Sequence, residues 1–272
     1  MSTTAPGFAE MKKGMKAAWM AGDFGQIARH SQRRGEEFVS RLGLRPGVRV
    51  LDIACGTGNQ SIPAARAGAE VTGVDIATNS LEQARQRAAA AGLKIRFLEG
   101  DAEQLPFEAA EFDVVDSMFG AMFAPRPELV ASEMIRVCKP GGLIAMANWT
   151  PAGFVGQMFK INGSHVPPPP GVPAPTLWGD EAVVRQRFGP KLQLEMVKRE
   201  FLNEYPFGPE DVVEFFRQYF GPTQTAFAQL DSAGQKAFRD DLIRHWTKHN
   251  EGDATRTVVR AEYLEVHGRR ES

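Results

Sequence analysis

Apolar positions in this chain keep one period near the start and another through its middle. From Glu10 to Leu44, Met11, Met15, Ala18, Trp19, Ile27, Phe38, Val39 and Leu42 recur at loosely helical spacing, broken at Gly22 and Gly25, which predicts two helices leading into the core. The pattern then shortens. Arg49–Ala54, Glu70–Asp75, Lys94–Glu99 and Asp113–Ser117 are brief strand-like runs, separated by helical patterns such as Asn79–Ala91, which Gly92 is placed to stop. Glu128–Cys138 continues the alternation as a helix ended by Lys139-Pro140-Gly141-Gly142, and Leu143–Trp149 reads as the fifth strand. Strands alternating with helices build a parallel sheet, because a parallel pair needs a long crossover and a helix supplies it.

After Trp149 the alternation stops. Residues Thr150–Gly179 gather proline, including Pro167–Pro170, and are expected to form neither a helix nor an inner strand, since proline lacks the N–H that both require. The segment also holds Phe154, Val155, Met158, Phe159, Ile161, Leu177 and Trp178, enough apolar surface to pack, with the N-terminal helices, as a long ordered cap over the reaction centre. Two later runs, Leu192–Phe201 and Thr255–Val266, can complete the sheet, with helices expected at Pro209–Phe220 and Gln224–Lys248. The architecture predicted is a single α/β domain: a doubly wound, mostly parallel seven-stranded sheet with helices on both faces. Its parts are an N-terminal helical lead (1–44), a Rossmann-like core (45–149), a proline-rich cap inserted after strand five (150–190) and a C-terminal completion of the sheet with a helical insertion (191–272).

Composition narrows the class. Of 272 residues 43% are hydrophobic and 24% charged, close to the globular average, so a core forms without covalent staples. The 32 basic and 33 acidic side chains nearly cancel, which argues against nucleic acid or an anionic membrane surface as partner. Cys55 and Cys138 are too few and too far apart for a disulfide framework or a zinc site, so no metal is expected and a reducing cytoplasm fits best. The first 22 residues lack the continuous apolar core of a secretory signal, and no run is long and apolar enough to span a bilayer. A monomer or homodimer acting on a small molecule is the expectation.

The densest chemistry lies in RVLDIACGTGNQS, where an apolar strand reaches Asp52, turns through Gly56 and Gly58, and enters a helix with Asn59 as its expected cap and Pro63 in its first turn. A lone GxG is weak evidence, often no more than a tight turn. Its company strengthens it. Asp75 closes EVTGVD at the position where a carboxylate can accept both ribose hydroxyls of an adenosine cofactor, although an aspartate there could also simply cap the next helix. Asp101, in Glu99-Gly100-Asp101-Ala102, ends the third strand where an adenine amine would lie, the plain alternative being a turn aspartate. Three carboxylates at the ends of successive strands favour a ligand, because parallel sheets bind ligands at their carboxyl edge.

Taken together, VLDIACGTGN, VTGVDIA, EGDAEQLPF, FDVV and RVCKPGG resemble the successive motifs of class I S-adenosylmethionine-dependent methyltransferases, over about Val48–Trp149. Within that class the chain is similar to the ubiquinone/menaquinone-biosynthesis-like small-molecule group. The resemblance implies Asp52, Ala54, Gly56 and Gly58 for the methionine part of S-adenosyl-L-methionine, Asp75 with Ile76 for the ribose, Asp101 and Ala102 for adenine, and Ser117 and Met118 for the wall beyond strand four. S-adenosyl-L-homocysteine would be the product. Ala54 departs from the pattern, since many members carry glycine there.

A sulfonium is an intrinsically good methyl donor, so the protein must mainly align a nucleophile and exclude water, and an acid or base is not required. Candidate catalytic groups are His165, His30 and Tyr205, each of which could instead be structural. Met118, Phe119, Met122 and Phe123 after strand four, and Phe154, Met158 and Phe159 after strand five, read as pocket wall or as ordinary core. Asp116-Ser117-Met118-Phe119 replaces the Asn/Asp-Pro-Pro-Tyr type motif of many nucleic-acid and protein amino methyltransferases, which favours a small, partly apolar acceptor. Two alternatives stay open from sequence: a nicotinamide-dependent oxidoreductase, weakened by Ser61 standing where a third glycine would be, and a non-catalytic S-adenosylmethionine-binding regulator.

Overall fold

The computed structural model describes residues 7–271; the first six residues of the N-terminal lead, and of the stretch read as lacking a signal, lie outside them. Three helices open the chain, α1 (Phe8–Met20), α2 (Phe24–Arg29) and α3 (Gln32–Ser40), where two were predicted. The extra break falls at Ser31, where the chain turns so that Phe38 and Val39 reach the sheet while α1 lies apart with no buried residue. The core follows as β1 (Arg49–Ile53), α4 (Ser61–Arg66), β2 (Glu70–Asp75), α5 (Thr78–Ala90), β3 (Arg96–Glu99), β4 (Phe112–Met118), α6 (Pro127–Val137) and β5 (Cys138–Trp149). Then come α7 (Phe154–His165), α8 (Glu181–Phe188), β6 (Leu192–Tyr205), α9 (Pro209–Tyr219), α10 (Gly221–Ala228), α11 (Ser232–His249) and β7 (Thr257–Arg270).

The seven strands form one sheet in the order β3-β2-β1-β4-β5-β7-β6. β1 to β5 run parallel, and β7 is antiparallel to both its neighbours, β5 and β6. Central strands are covered on both faces, so β1 is buried from Val50 to Ile53 and reads as a continuous apolar run interrupted only by Asp52. α6 shows the helical version of the same logic. Pro127 occupies its start, where no intrahelical partner for the N–H is lost, and Val130, Ala131, Met134, Ile135 and Val137 fall on the face that packs against the sheet. Each such large side chain contributes about 1.5–3 kcal/mol relative to exposure.

Several boundaries differ from expectation. Cys138 opens β5 instead of closing α6, and Lys139–Gly142 bulges out between the Phe112↔Cys138 and Val114↔Leu143 pairs, with Gly141 at φ 75. The helix expected over Gln224–Lys248 is two, because Asp231 accepts a hydrogen bond from Gly234 N at 2.8 Å and starts a new one. Most consequential is Thr150–Gly179, which contains the 12-residue helix α7. Its prolines sit at 151, 167–170, 173 and 175, leaving Ala152–Val166 free to wind. The two ends of the segment pack in different places. Phe154, Val155 and Met158 of α7 pack with α9, α11 and β7, whereas Trp178 joins Val184 and Phe188 of α8 in the core under β5. Among the described residues no helix is long and apolar enough to cross a membrane.

Candidate functional site

Strand order reverses between β1 and β4, and at the carboxyl ends of these strands a cavity of about 570 Å³ opens. Its floor is the turn after β1. Ala54 (φ 56), Gly56 (φ 52) and Gly58 (φ 83) all take left-handed backbone, which costs about 1–3 kcal/mol at the non-glycine position. Gly120 crosses directly over this turn; a Cβ there would lie 2.5 Å from that of Ala54, so only glycine lets β4 and the turn approach. Across the cavity Asp75 ties two turns together, accepting from Gly56 N and from Ala77 N, both at 2.8 Å. Thus Asp75 supports the start of α5 and lines the cavity at once. Burial pushes its carboxyl above the usual range. Each carboxylate oxygen has a further lone pair for a hydroxyl donor.

Seven of the ten residues expected to hold the cofactor line this cavity: Ala54, Gly56, Asp75, Ile76, Asp101, Ala102 and Met118. The other three stand behind it. Gly58 packs against Phe97 and Ala84, and Ser117 Oγ donates to Ile53 O at 2.8 Å while accepting from Ala121 N at 3.0 Å, which fixes the β1–β4 junction. Asp52 is fully buried; Ser61 Oγ donates to its Oδ2 at 2.5 Å, and its Oδ1 has no partner. Burial, with the Asp75 charge adding to it, pushes Asp52 up to about 7. Its register partner on β4, Asp116, is likewise buried with an unpartnered Oδ1 and is raised well above the usual range by burial and by Asp52. An unsatisfied carboxylate oxygen beneath the turn suits a group bearing an ammonium, such as the methionine end of the cofactor.

Asn59 is not the helix cap that the motif suggested. Gln60 holds that position, and Asn59 instead donates to Ala28 O at 3.0 Å and Ser31 Oγ at 3.2 Å while accepting from Arg87, pinning the α2–α3 corner to the glycine-rich turn. Ser31 and Phe24 therefore reach the cavity from the N-terminal lead, and so does α1, whose Lys12, Lys16 and Trp19 line it. The Lys12 ammonium binds Asp101 and, at 2.5 Å, Glu103, and Lys16 binds Glu99 at 2.5 Å. The cavity wall thus comes from α1, not from 150–179, none of whose residues line it. These lysines were missed because nothing in a MKKGMK stretch separates a solvated helix face from a latch until its acidic partners are in place.

None of His30, Tyr205 and His165 lines the cavity. His165 Nε2 meets Asp241 Oδ2 at 2.8 Å, tying α7 to α11 and holding Asp241 below the usual carboxylate range. His30 and Tyr205 meet each other, ring centroids 4.8 Å apart, at the outer end of β6. Burial lowers the His30 pKa and raises Tyr205 to about 12. Among the described residues that line the cavity there is no histidine and one thiol, Cys55, which burial raises well above its ordinary value. Its remaining wall is aromatic. Trp19 packs edge-on against Phe24 at 6.0 Å and Phe123 at 5.2 Å, and Phe119, held at φ 57, stacks on Trp149 at 3.8 Å.

Residues 50–142 match the model of a methyltransferase domain. An uncharacterized protein of Mycobacterium bovis is 42% identical over 215 residues, covering 78% of each chain. A demethylmenaquinone methyltransferase of Renibacterium salmoninarum is 39% identical over 116 residues, 43% of this chain and 47% of that one. Among solved structures, the YcgJ protein of Bacillus subtilis superposes with a TM-score of 0.61 over 88% of this chain and 99% of the other, at 18% identity, and so shares the fold. The nicotinamide alternative does not survive this match. A turn that dispenses with a third glycine, a cavity-lining Asp75 at the end of β2 and a domain match spanning both have one common explanation: the chain belongs to the class I S-adenosylmethionine-dependent methyltransferases.

Proposed function

We propose that the chain methylates a small, partly apolar metabolite by in-line displacement, contributing position and dryness in place of acid–base chemistry. The observation that carries this reading is the cavity wall: Trp19, Phe24, Phe119 and Phe123 surround the space beyond the glycine-rich turn, with no histidine among the described lining residues and the Cys55 thiol raised well above its ordinary value by burial. The cofactor, when bound, supplies an electrophilic methyl group whose transfer needs alignment above all, worth about 7–11 kcal/mol of the barrier. In this reading Asp75 holds the ribose hydroxyls, Asp101 the adenine amine, and Asp52 lies under the methionine end. Ala54 and Gly56 let the backbone approach the ligand. Phe119, fixed by its stack on Trp149, faces the acceptor, and α1 excludes water from above. The acceptor brings its own nucleophile.

The test is two-step. Calorimetry should show S-adenosyl-L-methionine binding, and label from its methyl group should then pass into a metabolite extract. Cofactor binding without transfer to any component would instead favour a non-catalytic regulator.

A further inference from the structure

Arg34 stands on α3 one helical turn beyond Ser31, which lines the cofactor cavity, and residues three apart share a helix face. The neighbouring Gly35 presses on the glycine-rich turn so closely that a Cβ there would lie 2.3 Å from the Asn59 carbonyl oxygen. The Arg34 guanidinium sits over the Phe201 ring at 3.6 Å and donates one hydrogen bond, to Leu202 O at 3.0 Å. Among the described residues it forms no ion pair; Glu37 and Glu204 act on it only at longer range. Burial draws it down to about 10.

Other polar groups nearby are equally short of partners. On β6, Phe201, Asn203 and Tyr205 alternate onto one face; Asn203 is 7% and Tyr205 3% exposed, and neither side chain makes a hydrogen bond among the described residues. His30, against Tyr205, uses only Nδ1, at 3.2 Å from Glu204 O. Phe201 meets Phe119 at 5.9 Å and Trp149 at 5.3 Å, and Phe119 also lines the cofactor cavity. A half-buried cation with one neutral hydrogen bond, beside an amide and a phenol that make none and an imidazole with one ring nitrogen free, is a set of donors suited to an anionic ligand.

We propose that Arg34, Asn203, Tyr205 and His30 form a subsite for a carboxylate on the methyl acceptor, whose apolar body lies against Phe119 and Phe201. A guanidinium recognises a planar carboxylate with two parallel N–H donors, and the hydroxyl and amide add neutral donors. One fixed cation matches a monoanion; a phosphate dianion would call for a second. The proposal rests on the methyl-transfer reading of the adjoining cavity.

The experiment compares benzoate with benzamide, titrated by ligand-observed NMR into the protein saturated with S-adenosyl-L-homocysteine. Benzoate should bind at least tenfold more tightly, Arg34→Gln should erase that preference, and Tyr205→Phe and Asn203→Leu should weaken benzoate several-fold while leaving benzamide unchanged. Equal affinities in the unaltered protein, or no binding of either, overturn the subsite. So does a benzoate preference that persists in an Arg34→Gln variant of normal melting temperature. Should that variant not fold, the unaltered protein with Tyr205→Phe decides. A separate titration of S-adenosyl-L-homocysteine keeps the two readings apart: its failure to bind, with a benzoate preference in the cofactor-free protein, removes the methyl-transfer reading and leaves the anion site standing.

Discussion

Asp75 carries two duties that a single residue rarely separates. Its bonds to Gly56 N and Ala77 N hold the turns in place, and its free lone pairs face the cavity, so Asp75→Ala should weaken S-adenosyl-L-methionine at least tenfold by calorimetry while costing some stability as well. Asp101→Ala should cost less, because Asp101 offers an adenine one hydrogen bond and already shares the Lys12 charge. An inosine analogue of the cofactor should bind the variant and the parent alike. Asp52 yields a pH prediction. Its folded-state pKa, about 7, lies above the ordinary 3.8, so the stability linked to its proton is full below the ordinary value and is lost as pH rises toward 7. Asp52→Asn should therefore flatten the fall in melting temperature between about pH 4 and 7. An unaltered slope would assign the proton elsewhere, with Asp116 the first alternative.

Among the elements, α1 is held differently from the rest of the molecule. It buries no residue, is latched at one end by Lys12 and Lys16 on the acidic rim, and is anchored at the other where Gly221 lies so near that a Cβ would reach within 1.8 Å of Ala18 O. Removing both latches, Lys12→Ala with Lys16→Ala, should leave the melting temperature nearly unchanged, since the exposed Lys16–Glu99 pair contributes about 0–1 kcal/mol and the buried Glu103 keeps Arg126 as its partner. Cofactor dissociation should nevertheless speed up several-fold in stopped flow, because the latch closes the cavity over the adenine end. Equal dissociation rates would make the latch a bystander. α7 behaves in the opposite way. Phe154 is 4% exposed, stacked on His245 at 4.5 Å and met edge-on by Trp246 at 4.6 Å, so Phe154→Ala should cost about 3–5 kcal/mol by denaturant unfolding, as a core substitution does.

At the scale of the whole molecule, ligand binding and folding are linked. S-adenosyl-L-homocysteine at a hundred times its dissociation constant should add about 2.7 kcal/mol, a rise of about 5–10 °C in melting temperature for a domain of this size, and the Asp75→Ala variant should lose most of it at the same concentration. How much of this molecule was legible beforehand follows from the range of the interactions concerned. β1, β2, the turn through Gly56 and Gly58, and the carboxylates Asp52, Asp75 and Asp101 are local matters: strand burial, positive φ and a strand end each leave a mark within a few residues, and all were read from the chain itself. Ala54 and Ser117 were implied by the family resemblance alone, and only the structure showed that one lines the cavity and the other braces it. By contrast, the insertion of β7 between β5 and β6, the latch of Lys12 on Asp101 and Glu103, and the convergence of His30 and Arg34 with Tyr205 join residues about 50 to 175 positions apart. A lysine on a helix, or a tyrosine at a strand end, has the same local pattern whether or not an acid or an arginine waits for it. The sequence by itself determined the strand-and-turn framework and its cofactor chemistry, because backbone sterics and burial period are written locally. What stands over that framework, and which charges are left unpaired beside it, was decided by tertiary structure alone, because a charge acquires its partner only when the fold brings distant segments together.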